Sequence, residues 1–353
     1  MDFGTAPFIV DAIRKRCECE VLGYTGKPDS YYRAIINWVK QRYDLDVTKE
    51  MINFVPGIVP GIGMAMNSFT RPGDKVMIQP PVYHPFAWVT TRNERTLVTN
   101  PLKWENGMYR MDLDAFREQV KGCKLFILCN PHNPGGVVWT EDELRTVAEI
   151  CYEEKVLVFS DEIHADLTLP PYKHRPFATI SEKAKMNSVT FMSPSKAFNM
   201  PGLAASHAII FNEDLRARFR KFMDAGELDM GHVFAFLSVE AAYTHGTEWL
   251  DQCLAYIQGN IDYVDNFLKT HAPRIKAIRP QASYLVWLDC RELGLNQEAL
   301  NDFFADKAHL ALNDGEMFGK EGIGFMRLNV ASPRCIIEKA MKQLADAYQL
   351  YIK

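Results

Sequence analysis

No stretch of this chain holds the roughly twenty uncharged apolar residues that a membrane-crossing helix needs. The opening MDFGTAPFIVDAIRKR sets its basic cluster after its apolar part, the reverse of a secretory signal. Eight cysteines are present (Cys17, Cys19, Cys123, Cys129, Cys151, Cys253, Cys290, Cys335), yet none form a C-x-x-C pair or a regular spacing. Free thiols in a reducing compartment are expected instead of a disulfide framework, with the cytoplasm as the default location. Basic runs are missing and the formal net charge is -4, so neither nucleic acid nor a membrane surface is an expected partner. Metal spacing fails as well. Cys129 and His132 make a single C-x-x-H pair and His164 has no partner histidine, so no metal is expected. The one dinucleotide-like fragment, opening at Gly61 and Gly63, breaks where Met66 replaces the third glycine.

What is present is ordinary in amount and informative in order. The 353 residues are 47% hydrophobic and 24% charged, enough apolar mass for two domains in close contact. Short apolar runs (VMIQPPV, LFILCNP, VLVFSDE, VTFMSPS) alternate with helix-period pieces such as TEDELRTVAEICYEEK. Strands that are apolar almost throughout, alternating with helices, predict an α/β fold with a mostly parallel sheet covered on both faces. Ligands of such sheets gather at the carboxyl ends of the strands. Those ends carry Asn130 to Gly136, Asp161 to Asp166 and Ser193 to Lys196. Beyond about Ala225, one long helical region from HVFAFLSVEAAY to NFLKTHAP leads into YLVWLDC, FMRLNVA and a last helix. A smaller α+β unit is expected there, joined by the N-terminal helix FIVDAIRKRCECEV. The expected division gives residues 1–23 and 246–353 to the small domain and 24–245 to the large one.

The segment FMSPSKAFNMPG poses the chemical question, because Lys196 sits behind two serines in apolar company. A buried ammonium must find a carboxylate or lose its proton, and the neutral amine is a nucleophile. A lone lysine laying its stem across apolar surface is the commoner case. One strand earlier, VFSDEIHADL delivers Asp161, either a helix cap or the carboxylate that keeps a ring nitrogen protonated in a dry site. Asn133 adds an amide donor in the turn NPHNPGG, and His164 reads as a neighbour of the same ring. In VPGIVPGIGMAMNSF, Pro60 suits a first helical turn, which leaves the amides of Ile58 and Val59 free for an anion. The hydroxyls of Ser193 and Ser195 would complete a phosphate cup. Tyr83, between prolines in PPVYHPF, is able to stack on a planar ring, although packing is the usual role of such a tyrosine. Arg327 in GFMRLNVASPR is either a bidentate clamp for an α-carboxylate or a plain strand arginine.

Taken in order, NPHNPGG, SDEIHADL and SPSKAFNMPGLAAS resemble the pyridoxal-phosphate enzymes of fold type I, the aspartate aminotransferase superfamily, over nearly the whole chain. Within it, GYTGKPDSYYRAI, PPVYHPF, DEIHADL, SKAFNMPGL and GFMRLNVASPR are similar to the carbon-sulfur β-lyase branch. The resemblance implies pyridoxal 5'-phosphate as cofactor and a seven-stranded type of sheet in the large domain. It implies Lys196 as the Schiff-base lysine, Asp161 as partner of the pyridine nitrogen, Asn133 as donor to the phenolic oxygen and Tyr83 stacked on the ring. Ser193, Ser195 and the amides near Ile58 and Val59 would hold phosphate, and Arg327 the substrate carboxylate. Tyr24 in LGYTG would reach the phosphate of a neighbouring subunit, which implies a homodimer with shared active sites. The implied activity is elimination from sulfur amino acids such as cystathionine to pyruvate, ammonia and a thiol. An aminotransferase and, outside catalysis, a regulatory binding protein are the alternatives. The chain departs from the superfamily pattern at Ala204, where transaminases usually carry a phosphate-binding arginine, as the lyase branch leads one to expect. It also has His164 where many transaminases have a tyrosine. Finally, MDFGTAPF matches an internal stretch of the family, so a leading segment that helps roof the active site is expected to be missing.

Overall fold

The computed structural model describes residues 1–352. The strands are β1 (Ile52–Val55), β2 (Lys75–Ile78), β3 (Thr96–Thr99), β4 (Lys103–Glu105), β5 (Met108–Arg110), β6 (Cys123–Cys129), β7 (Leu157–Asp161), β8 (Ser188–Met192), β9 (Ser206–Ile209), β10 (Lys276–Ile278), β11 (Leu285–Asp289), β12 (Asn313–Asp314) and β13 (Phe325–Asn329). The α-helices are α1 (Pro7–Cys17), α2 (Asp29–Tyr43), α3 (Ile58–Phe69), α4 (Pro85–Arg92), α5 (Leu113–Gln119), α6 (Glu141–Glu153), α7 (Glu182–Met186), α8 (Glu213–Ala225), α9 (Val233–His245), α10 (Thr247–His271), α11 (Gln297–Asp302) and α12 (Arg334–Tyr351).

The α/β class expected from the alternation is the class found. One sheet has seven strands in the order β1-β9-β8-β7-β6-β2-β3. Strands β3, β2, β6, β7 and β8 pair in parallel, while β9 runs antiparallel to both β8 and β1. Every residue of β7 and β8 is buried. That burial is why those segments read as unbroken apolar runs and not as an alternation. A second sheet, β10-β11-β13-β12, is antiparallel throughout and carries Arg327 on β13. Helix α1 packs against α9, sharing one apolar cluster with α2 and α10.

Local rules explain the element ends. Thr140 opens α6 with a capping box: its hydroxyl accepts from the Glu143 amide, and the Glu143 carboxylate accepts from the Thr140 amide at 2.9 Å. The long helical region expected after Ala225 is instead broken into α9 and α10 at Gly246. A Cβ there would stand 2.2 Å from the Ala242 carbonyl oxygen and 2.4 Å from the Phe198 ring, so the chain turns where only glycine fits.

Helix α3 lies so close on the sheet that a Cβ on Gly61 would meet Val55 Cγ2 at 2.9 Å and Phe191 at 3.3 Å. This close approach sets the α3 N-terminus beside the ends of β7 and β8. Gly61→Val is therefore expected to lower stability by about 1–3 kcal/mol through overpacking. A shift of the denaturant midpoint checks it, and an unchanged midpoint would show that the helix has room to move.

Candidate active site

The carboxyl ends of β6, β7 and β8 open onto one cleft of about 510 Å³. That volume suits a cofactor-sized ligand. Strand β7 delivers Asp161 into it, and the turn after β8 delivers Lys196. Asp161 is buried and accepts one hydrogen bond, from the Ile163 amide at 3.1 Å. Burial pushes its carboxyl up to about 7, with that hydrogen bond acting in the opposite direction. Lys196 Nζ makes no salt bridge within 4.0 Å among the described residues. Burial, and then the Arg327 charge, lower its pKa from the ordinary lysine value.

The turn between β6 and α6 places Asn133. Gly136 adopts φ +66° there, and a Cβ on it would sit 2.5 Å from Pro280, so the turn accepts no larger residue. The Gly136 carbonyl accepts from the amides of Gln281 and Ala282, which stitches the turn to the segment carrying Tyr284. Asn133 Oδ1 accepts from Arg327 Nη1 at 2.8 Å, and Asn313 Oδ1 accepts from Arg327 Nη2 at 2.8 Å. The guanidinium lies over the Phe318 ring, 4.6 Å from its centroid, while its buried Nε has no partner. Burial lowers its pKa to about 10, and among the described residues no carboxylate pairs with it. His164 lines the cleft with its Nδ1 buried and unpartnered, and burial drops its pKa to about 3, so the ring is neutral at physiological pH. Tyr83 lines the same wall, and burial raises its pKa.

At the other end of the cleft, α3 begins at Ile58 after Gly57, with no side-chain cap. The first intrahelical bond runs from the Gly61 amide to the Gly57 carbonyl, which leaves the amides of Ile58 and Val59 unpaired within the helix. Ser195 lines the cleft beside them. Ser193 does not. Its hydroxyl donates to the Ala205 carbonyl at 2.8 Å and accepts from the Ser195 amide at 3.1 Å, so it braces the turn from inside where the sequence reading set it in the phosphate cup. Tyr24 also stands apart from this cleft, 98% exposed on the segment between α1 and α2. Among the described residues no three metal-ligating side chains gather, and His132 turns its Nε2 to the Pro81 carbonyl at 2.9 Å.

Several lining residues had no sequence signal. Ser206 enters on β9, Tyr284 precedes β11 and Asn313 comes from β12. His84 follows Tyr83 in the motif PPVYHPF, so its neighbour was the only available hint.

The chain belongs to the family described as aminotransferase class I and II, whose model matches residues 2–344. Its nearer likenesses are more particular. It is similar to cystathionine beta-lyase PatB of Bacillus subtilis, 38% identical over 349 residues that cover 98% of this chain and 90% of that protein. It is also similar to protein MalY of Escherichia coli, 31% identical over 351 residues, covering 98% and 89%. Among solved structures, cystalysin from Treponema denticola, which contains a pyridoxal 5'-phosphate cofactor, matches with TM-score 0.97 and 35% identity, covering 100% of this chain and 90% of that one. A PLP-bound C-S lyase from Staphylococcus hominis matches with TM-score 0.91 and 34% identity, covering 99% and 89%. The fold is thus that of the fold type I pyridoxal-phosphate enzymes.

Proposed function

We propose that this chain is a pyridoxal-phosphate-dependent carbon-sulfur β-lyase of the cystathionine β-lyase type. The observation that carries the reading is one cleft holding an unpaired lysine amine, a buried carboxylate and an unpaired guanidinium. The donor set fits the cofactor. Asp161 suits a protonated ring nitrogen, the side-chain amide of Asn133 suits the phenolic oxygen, and Tyr83 and His164 flank the space for the ring. The free amides of Ile58 and Val59 and the hydroxyl of Ser195 suit a phosphate. Bound there, pyridoxal phosphate supplies an aldehyde for the substrate amine and a cationic ring that withdraws electrons from Cα.

The protein's own part follows from charge. Arg327, which has no carboxylate partner among the described residues, holds the substrate α-carboxylate, which fixes Cα over the cleft. Lys196, whose amine is shifted toward the neutral form, takes the Cα proton. Asp161 keeps its proton partner, the ring nitrogen, charged throughout. A β-sulfur then leaves as thiolate, and water completes the products: cystathionine and water give homocysteine, pyruvate and ammonia. Ala204 lines the cleft near the phosphate end, so the chain lacks an arginine at that wall, in keeping with the lyase branch.

Incubation with cystathionine and no added keto acid is expected to yield pyruvate and free thiol together. A keto acid matching the whole substrate, with no thiol, would instead identify an aminotransferase. We also propose a homodimer. Val21, Leu22 and Tyr24 are 72%, 66% and 98% exposed on one extended segment, a row of apolar side chains that a second copy of the chain would cover.

A further inference from the structure

Three buried carboxylates follow within six residues at and after the end of β7, namely Asp161, Glu162 and Asp166, and Asp161 alone faces the cleft. Buried carboxylates in a dry interior need hydrogen bonds or cations beside them to stay ionised. Asp166 accepts from Trp38 Nε1 at 3.0 Å and from the Tyr43 hydroxyl, and Arg42 Nε lies 4.0 Å away. Glu162 is supplied differently. Its Oε1 accepts from Ser160 Oγ at 2.7 Å and from the Phe177 amide at 2.8 Å. Its Oε2 lies 2.7 Å from His174 Nε2, and the two side chains are 0% and 1% exposed. Among the described residues no lysine or arginine comes within 4.0 Å of Glu162, so His174 is the one cation source the fold sets against it.

The surroundings of His174 agree. The Tyr43 ring meets it edge-on, with centroids 5.4 Å apart. Lys173 beside it in sequence is exposed, and Arg175 pairs with Glu141 at 3.5 Å, so neither neighbour turns its charge inward. Among the described residues His174 Nδ1 is buried without a hydrogen-bond partner and Nε2 bonds Glu162, so the ring is held through that one contact.

We propose that His174 is a positioning residue for the reaction: its imidazolium, held on Glu162, cancels the charge behind Asp161 and so lets Asp161 stay ionised toward a cationic ring nitrogen. The inference rests on the reading of Asp161 as the ring-nitrogen partner. Glu162 already acts with burial to raise the Asp161 carboxyl, and an uncompensated Glu162 would raise it further.

The test uses the full chain with and without pyridoxal phosphate. Carbon NMR of carboxyl-labelled aspartate in the cofactor-free protein reads the Asp161 titration midpoint, with Asp161→Asn assigning the signal. His174→Gln keeps a hydrogen-bond donor for Glu162 and removes the charge. Its expected effect is an Asp161 midpoint raised by about one pH unit or more, with about tenfold weaker binding of pyridoxal phosphate at neutral pH. Adding Glu162→Gln to His174→Gln is expected to bring both values back toward wild type. An unmoved midpoint, or no rescue in the double variant, overturns the proposal in favour of a purely structural role. Should His174→Gln fail to fold, nitrogen NMR of the unaltered protein decides: a doubly protonated His174 ring at neutral pH supports the inference and a neutral ring overturns it. Failure of the functional reading looks different, because the wild-type chain would then bind no pyridoxal phosphate while the midpoint shift persisted.

Discussion

Lys196→Ala is expected to abolish both turnover of cystathionine and the visible colour of the cofactor-loaded protein. On the proposed assignment this one amine anchors the cofactor covalently and later accepts the Cα proton. Loss of a positioned base alone costs about 10²–10⁴ in rate, so a fall of at least about 10³-fold is expected from losing both roles. Among the described residues no other lysine lines the cleft to stand in. Borohydride reduction followed by peptide mapping should label Lys196 alone in the wild type and nothing in the variant. Normal turnover by Lys196→Ala would sink the assignment.

Asp161→Asn should act in opposite directions on catalysis and on stability. Turnover is expected to fall by about 10²-fold or more, because a neutral amide cannot hold the proton of a ring nitrogen against a dry environment. Stability of the cofactor-free protein should instead rise at neutral pH. In the fold the Asp161 carboxyl titrates at about 7, against 3.8 for an ordinary aspartate. The folded state therefore binds the proton more tightly than the unfolded chain. The associated stability is full below the ordinary value and is lost as pH climbs through about 7, on the order of 4 kcal/mol in all. Across that window the denaturant midpoint of Asp161→Asn should climb relative to that of the wild type. Parallel profiles would show that burial does not strain this carboxyl.

The chemistry was most legible where local pattern and position coincide. Strands β7 and β8 are buried from end to end and β6 everywhere but Lys124, so their apolar runs mark them plainly, and the polar residues that follow mark the cleft. Asn133, Asp161, His164 and Lys196 were reachable by that reasoning, and they share one cavity with Arg327, Tyr83 and the α3 N-terminus. What stayed hidden depends on pairing between distant segments. Nothing in SHAI announces that β9 runs antiparallel between β1 and β8, and Ser206 reaches the cleft only through that insertion. Ser193 and Ser195 are alike in sequence, and only the fold of the turn sends one hydroxyl inward and the other to the cavity. Helix α9 is buried on most sides, so HVFAFLSV carried no periodic sign of where it ends, and the break came from the Phe198 ring packed on Gly246. The partner of Glu162 was not readable from local pattern, because it lies twelve residues on, in a loop without periodicity.

The hydrogen-bond partners of Arg327 are neutral amides, Asn133 and Asn313, and its flat face rests on Phe318. Such a setting orients the guanidinium without neutralising it, so the missing counter-charge has to arrive with whatever enters. On the proposed role, free amino acids bring one. Thioether amines that have lost their carboxyl, and peptides whose carboxyl is locked in an amide, do not. The cleft would then act as an electrostatic filter that admits small zwitterions and turns away their decarboxylated or polymerised relatives before any bond is broken.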